Sequence, residues 1–164
     1  MQNDKSTPPQ PDDDDREADA QSPEIRAFAA LWLSKTFGSR LPARTDLTIE
    51  ELQPWLGRLL IMDVLDGGAD FRYRLVGTLI ADANDRDLTG KRVSECQYDG
   101  HRDHVLASFR APIDARGPVF RNGHMVWNPA KGWRRYESVH CPLATNGSDV
   151  DMTIGLHVYF QDDA

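Results

Sequence analysis

His101 and His104 stand three residues apart, five residues after Cys96, and this is the one grouping in the chain with the residue types of a transition-metal site. At the start of a helix the two imidazoles would face one way, with Asp103 or Cys141 as further donors. The spacing matches no zinc pattern, however, and histidines at polar helix starts are common without metal, so no metal is assigned. Catalytic motifs give less. There is no Gly-x-Ser-x-Gly elbow, no phosphate-binding Gly-x-x-x-x-Gly-Lys-Ser/Thr loop, no Gly-x-Gly-x-x-Gly turn and no His-Glu-x-x-His helix, so the residues carry no positive sign of an enzyme. Cys96 and Cys141 lie far apart without a Cys-x-x-Cys spacing and are read as free thiols. Most carboxylates fall in the N-terminal tail or in turns such as Asp82, Asp85 and Asp87, where solvation is their expected role.

The elements that must position any site can be traced by periodicity. Ile25, Phe28, Ala29 and Trp32 recur at helical spacing from Pro23 to Gly38, and Leu31 and Leu33 widen the apolar face beyond what one side needs. Thr48-Ile49-Glu50-Glu51 has the form of a capping box opening a short helix that Pro54 should end. Strands are expected at Leu59 to Leu65 and Phe71 to Gly77, with Phe71, Tyr73 and Leu75 on one face and Arg72, Arg74 and Val76 on the other. Short helical turns follow to about Ser94, then a helix from His101 to about Ala111 that bends or frays at Pro112. Three strands close the chain: Val119 to Trp127, Trp133 to Leu143, and Val150 to Phe160, the last with Ile154, Leu156 and Val158 alternating against Thr153, Gly155, His157 and Tyr159.

The 164 residues suit one domain and a tail. Residues 1 to 23 hold seven carboxylates against Lys5 and Arg16, a net of −5 out of −7, with no aromatic residue and no Val, Ile or Leu. Such a segment cannot offset its ordering entropy by burial and is expected to be a disordered acidic tail, leaving residues 24–161 as the domain. The body is nearly neutral, so neither nucleic acid nor an anionic membrane is expected as a partner. Without an apolar leader or a run of about 20 apolar residues, the expected location is the cytoplasm.

Phe71-Arg72-Tyr73-Arg74-Leu75-Val76-Gly77-Thr78, followed by Asp87-Leu88-Thr89-Gly90-Lys91-Arg92-Val93, with Leu41-Pro42-Ala43-Arg44-Thr45-Asp46-Leu47 upstream and Tyr136-Glu137-Ser138-Val139-His140-Cys141-Pro142-Leu143 downstream, resembles a family of single-domain, PAS-like bacterial proteins, known mostly from alphaproteobacteria. The resemblance runs from about residue 25 to 160. It implies an α+β fold: an antiparallel five-stranded sheet, helices on one face with a cavity between the layers, and an N-terminal amphipathic helix. It implies a sensor or adaptor and leaves the signal unnamed; with no catalytic motif and no kinase, cyclase or DNA-binding segment in the sequence, the expectation is a non-enzymatic module that signals in trans to an unknown partner protein. The inward strand faces would supply Phe71, Tyr73, Trp127, Tyr136 and His140 to the cavity, as ligand contacts or as core. Arg44 and Arg74 map onto the family's hallmark segments. An arginine there either binds a ligand carboxylate or phosphate, or pairs with Asp46 or Asp63 to tie the linker to the sheet. Ile25, Phe28 and Trp32 on the first helix either cover the core or form a homodimer interface, and the dimer is the expectation adopted. No cofactor is named. Haem would need a histidine such as His104, His140 or His157, but a lone histidine in these positions is more often a hydrogen-bonded structural residue and there is no Cys-x-x-Cys-His motif; neither cysteine sits in a flavin-adduct motif. The rivals are an adaptor with a filled core, and a small α+β enzyme that would need an Asp–His pair in its pocket.

Overall fold

A computed structural model of the chain describes residues 22–161. The expected tail therefore lies outside the described residues, except that Ser22 and Pro23 belong to the fold. Ser22 is buried, and its amide donates to the Glu137 carboxylate at 3.0 Å. Pro23 opens helix α1 (Pro23–Ser34), where a missing N–H leaves no bond unmade.

The core is one five-stranded antiparallel sheet in the order β2-β1-β5-β4-β3, built from β1 (Leu59–Leu65), β2 (Asp70–Val76), β3 (Val119–His124), β4 (Arg135–Leu143) and β5 (Met152–Tyr159). The last strand runs up the middle and pairs with both β1 and β4, so Ile61 faces Ile154 on one side and Cys141 faces Ile154 on the other. Both faces are covered. Ile25, Phe28, Ala29 and Trp32 of α1 pack on Leu59, Ile61, Val139, Ile154 and Leu156. The opposite face carries Leu60, Met62, Phe71 and Tyr73 beneath α3 (Thr78–Asn84) and α4 (Arg102–Ala115).

This settles where α1 spends its apolar stripe. Ile25, Phe28 and Trp32 are 1%, 1% and 2% exposed within their own chain. Trp32 Nε1 donates to the Pro142 carbonyl at 2.8 Å, and Phe28 meets Trp55 edge to face at 5.5 Å. Three such side chains contribute on the order of 5–9 kcal/mol of burial, comparable to the whole stability of a domain. The residues expected at a homodimer interface are thus core residues here, and α1 turns Leu33 outward instead.

Local sequence explains most boundaries. The capping box forms around α2 (Ile49–Leu52), with Thr48 Oγ1 accepting from the Glu51 amide and the Glu51 carboxylate accepting from the Thr48 amide. As expected, α2 ends before Pro54, and the chain then tightens into 3₁₀ turns over Gln53–Arg58, where proline stands near the start and costs no bond. By contrast, α4 does not break at Pro112, which lies one turn before the helix end, with its carbonyl taking the Arg116 amide. In β2 the alternation fails after Tyr73. Met62 faces Tyr73 but Ile61 faces Leu75, so Arg74 is an extra residue in a β-bulge. The bulge reverses the faces: Leu75 is exposed, and Val76 turns to the α3–α4 side. Gly77 then ends the strand against the Gly57 carbonyl, with which any Cβ would collide.

Candidate functional site

Between the sheet and the α3–α4 layer lies a cavity of about 90 Å³. Leu60, Tyr73 and Val76 line it from β1 and β2, Arg121 from β3, Tyr136, Ser138 and His140 from β4, and His157 and Tyr159 from β5. Ile80 and Asn84 of α3, Arg86, Leu88 and Tyr98 of the following segment, and His104, Val105, Ser108 and Phe109 of α4 close the other side, with Trp127 at one end. A shallower hollow shares Asn84, Arg86 and Trp127 with it and adds Asp85 and Asp99.

A hydrogen-bonded chain crosses the sheet side of this cavity. Trp127 Nε1 donates to Asn84 Oδ1 at 2.8 Å, and Asn84 Nδ2 donates to the Tyr159 hydroxyl at 3.4 Å. Tyr159 Oη lies 3.1 Å from His157 Nδ1, and His157 Nε2 lies 2.8 Å from His140 Nε2. The indole N–H and the amide NH₂ can only donate, which fixes the polarity at that end. With the Tyr159 proton directed to His157 Nδ1, His157 donates through Nε2 to His140, and His140 keeps its proton on Nδ1. Two imidazole nitrogens at this distance share one proton, so the two rings cannot both be cationic. Burial, helped by the neighbouring His157 and by the Arg121 charge, holds His140 well below the ordinary histidine range, and burial lowers His157 to about 4.

The backbone makes room for this pair. Gly155 stands opposite His140, and a Cβ there would lie 2.8 Å from His140 Cδ2. The His140 ring therefore lies across the glycine, with Phe109 stacked on it at 5.7 Å and 20°. Nearby, the Tyr73 and Tyr98 hydroxyls meet at 2.6 Å, and burial pushes both phenols up, so they stay protonated. A base with a pKa of about 4 takes up protons poorly at neutral pH, and no carboxylate lines the cavity among the described residues. Neutral hydrogen-bonding groups therefore line the sheet side of the cavity, beside the side chains of Arg121 and Arg86.

Of the expected ligand residues, Tyr73, Trp127, Tyr136 and His140 come together here. Arg74 does not. It is exposed on the bulge with its guanidinium 3.2 Å from Asp63 Oδ1, which is the structural pairing. Arg44 likewise turns to the Leu47 carbonyl, at 2.8 Å. Phe71 is fully buried in the adjoining core, outside the cavity wall. Cys96, His101 and His104 are not gathered, since the Cys96 thiol bonds the Arg92 carbonyl and no group of three such donors forms among the described residues. His157, Tyr159, Asn84, Tyr98 and Arg121 were not singled out as ligand contacts by sequence reasoning. The face Thr153-Gly155-His157-Tyr159 could have signalled the first two, because it alternates, carries no charge and consists of residues that tolerate burial.

A family model described as a PAS domain matches residues 20–158. The chain belongs to the PAS domain family. A PAS domain is a sensor-type signalling domain, generally without catalysis of its own. Among solved structures, the chain is similar to a light-oxygen-voltage domain studied with a flavin analogue, at 12% identity, with 70% of this chain and 85% of that one covered and a TM-score of 0.47. It is also similar to the light-state LOV domain of the blue-light photoreceptor Aureochrome1, at 10% identity, covering 70% and 90%, with a TM-score of 0.45. Comparison with curated proteins gave no match. No helix among the described residues of this PAS domain is long and apolar enough to cross a membrane.

Proposed function

We propose that this PAS domain is a cytoplasmic, non-enzymatic sensor that takes a small molecule into the α3–α4 cavity and passes its state to a partner protein. The observation that carries this reading is the chain Trp127–Asn84–Tyr159–His157–His140 facing free space. A core built only for stability fills such a position with apolar side chains, since buried polar groups stabilise little and cost much when left partly satisfied. Signalling by self-association would use the outer side of the N-terminal region, where Leu33 and Phe37 are exposed, because Ile25, Phe28 and Trp32 are occupied.

The small free volume favours one rival, an adaptor whose core needs no ligand. Native mass spectrometry of the purified full chain separates the two. A sensor retains a small mass that is lost in Ser108→Leu, which fills the cavity. An adaptor shows no added mass, and the same substitution raises its melting temperature. Sedimentation of wild type and Phe37→Asp at tens of micromolar reads the dimer: a wild-type monomer removes it.

A further inference from the structure

Ser138 and His140 stand two residues apart on the cavity face of β4, and each leaves a polar atom over. Ser138 is 2% exposed and His140 7%, yet neither Ser138 Oγ nor His140 Nδ1 has a hydrogen-bond partner among the described residues. The neighbouring strands account for this. In register, Ser138 lies between Arg121 of β3 and His157 of β5, and the His157 ring turns its two nitrogens to Tyr159 and His140 instead. The His140 ring commits Nε2 to His157 and sets Cδ2 against Gly155, which leaves Nδ1 on the opposite edge. A buried donor or acceptor without a partner is costly, and native interiors rarely keep two of them side by side. The charges of the cavity are engaged elsewhere. Arg121 and His104 have partners of their own, and the Arg86 guanidinium lies over the Tyr98 ring at 5.2 Å, where the cavity meets the outer hollow. Leu60, Val76, Ile80 and Leu88 make much of the remaining wall apolar.

We propose that the cavity takes a small neutral amide, its carbonyl accepting from His140 Nδ1–H and its N–H donating to Ser138 Oγ. Two residues on one face of a strand stand about 6.6 Å apart along it, a gap that a planar amide bridges with its acceptor on one side and its donor on the other. A ketone offers one oxygen, which would have to reach both groups. An anion would shed its hydration water without gaining a counter-charge, since the nearby cations are already engaged. Size sets the rest of the molecule. The cavity measures about 90 Å³, less than the roughly 150 Å³ of an engineered cavity that takes up benzene, so the ligand is about as large as a three-carbon amide, its carbons against the apolar wall.

This inference rests on reading the cavity as a ligand site, and the test keeps the two apart. Propionamide, butanone and propionate have equal numbers of heavy atoms and differ in the group beside the carbonyl. Each is titrated into the full chain, isotope-labelled at the histidine ring nitrogens, and binding is followed by NMR. Propionamide is expected to bind in the roughly millimolar range that so small a molecule reaches, about tenfold or more tightly than butanone or propionate, and to shift the His140 Nδ1 resonance. Ser138→Ala removes only the hydroxyl and is expected to bring propionamide to within about twofold of butanone. If Ser138→Ala does not fold, the hydroxyl has a partner within the fold and the proposal is wrong. Butanone or propionate binding as tightly as propionamide, a preference that survives Ser138→Ala, or propionamide binding that leaves His140 Nδ1 unmoved overturns the amide and leaves the ligand site standing. If none of the three binds, water alone serves Ser138 and His140 and the amide is overturned; the site then stands if the native spectrum retains a small mass and falls with the amide if it does not.

Discussion

Lowering the pH from 7 to 5 should destabilise this domain before its carboxylates titrate, and the buried histidine pair sets the size of the effect. His157 has an ordinary value of 6.5 in the unfolded chain and about 4 in the fold. A base whose folded value is depressed contributes full stability above the unfolded value. That stability is lost as the pH falls below 6.5, because the unfolded chain then takes up a proton that the fold refuses. At pH 5 the unfolded histidine is almost fully protonated and the folded one hardly at all, which is worth about 2 kcal/mol from His157 alone. His140 shifts in the same direction and the two titrate as a unit, so this is a lower figure. For a domain of this size the loss corresponds to roughly 4–8 °C in Tm. The carboxylates held low by hydrogen bonds, Glu24, Glu51, Asp70 and Asp87, start from ordinary values of 3.8 to 4.5, so their losses come further down. Urea unfolding followed by near-ultraviolet circular dichroism at half-unit steps, on wild type, His157→Gln and His140→Gln, reads the slope. Stability that is flat between pH 7 and 5, or a slope that neither substitution reduces, refutes the buried neutral pair.

Gly155→Ala should cost about 1–3 kcal/mol, since the new methyl meets His140 Cδ2 at 2.8 Å and the Val139 carbonyl at 3.1 Å; a shift in the urea midpoint measures it. Phe28→Asp should prevent folding rather than yield a folded monomer, because truncating such a ring alone costs about 3–5 kcal/mol and the charge adds to it; a native near-ultraviolet spectrum would contradict this. Tyr98→Phe should cost about 1–3 kcal/mol by leaving the buried Tyr73 hydroxyl without its partner, seen in thermal unfolding. Arg74→Ala should change stability by less than about 1 kcal/mol, as befits an exposed ion pair on a bulge, and leave unchanged any mass retained in the native spectrum; thermal unfolding and native mass spectrometry check the two halves.

Much of this architecture is legible in the residues. The β1 span, the Thr48 capping box and the alternation in β5 follow from local rules, since each depends on neighbours a few positions apart. What escapes is set by contacts distant in sequence. Nothing in Phe71-Arg72-Tyr73-Arg74-Leu75 announces that β1 will pair with a bulge at Arg74, so Leu75 reads as core and is not. The α1 stripe is visible, but whether it covers its own sheet or a second copy depends on β5 lying centrally, between β1 and β4. The cavity was half visible for the same reason: aromatic residues in strands are conspicuous, whereas His157 and Tyr159 sit on what passes for the wet face of β5 until α3 and α4 cover it.

The two-sided cover of β4 bears on how the chain can vary over evolutionary time. From Tyr136 to Leu143 every residue of the strand is buried, Val139 and Cys141 under α1 and Tyr136, Ser138 and His140 under the cavity layer. An antiparallel strand with one wet face tolerates change at every second position; this one offers no such relief. A saturation-mutagenesis map should therefore show an unbroken block of intolerance there, in contrast to the open positions of β2 after Tyr73. On the proposed sensor reading, drift in what the pocket accepts is then channelled into the α3 and α4 side, which contributes Arg86, Leu88 and Ser108 to the lining. Related chains that recognise different molecules would be expected to share the β4 and β5 floor and to differ in this roof.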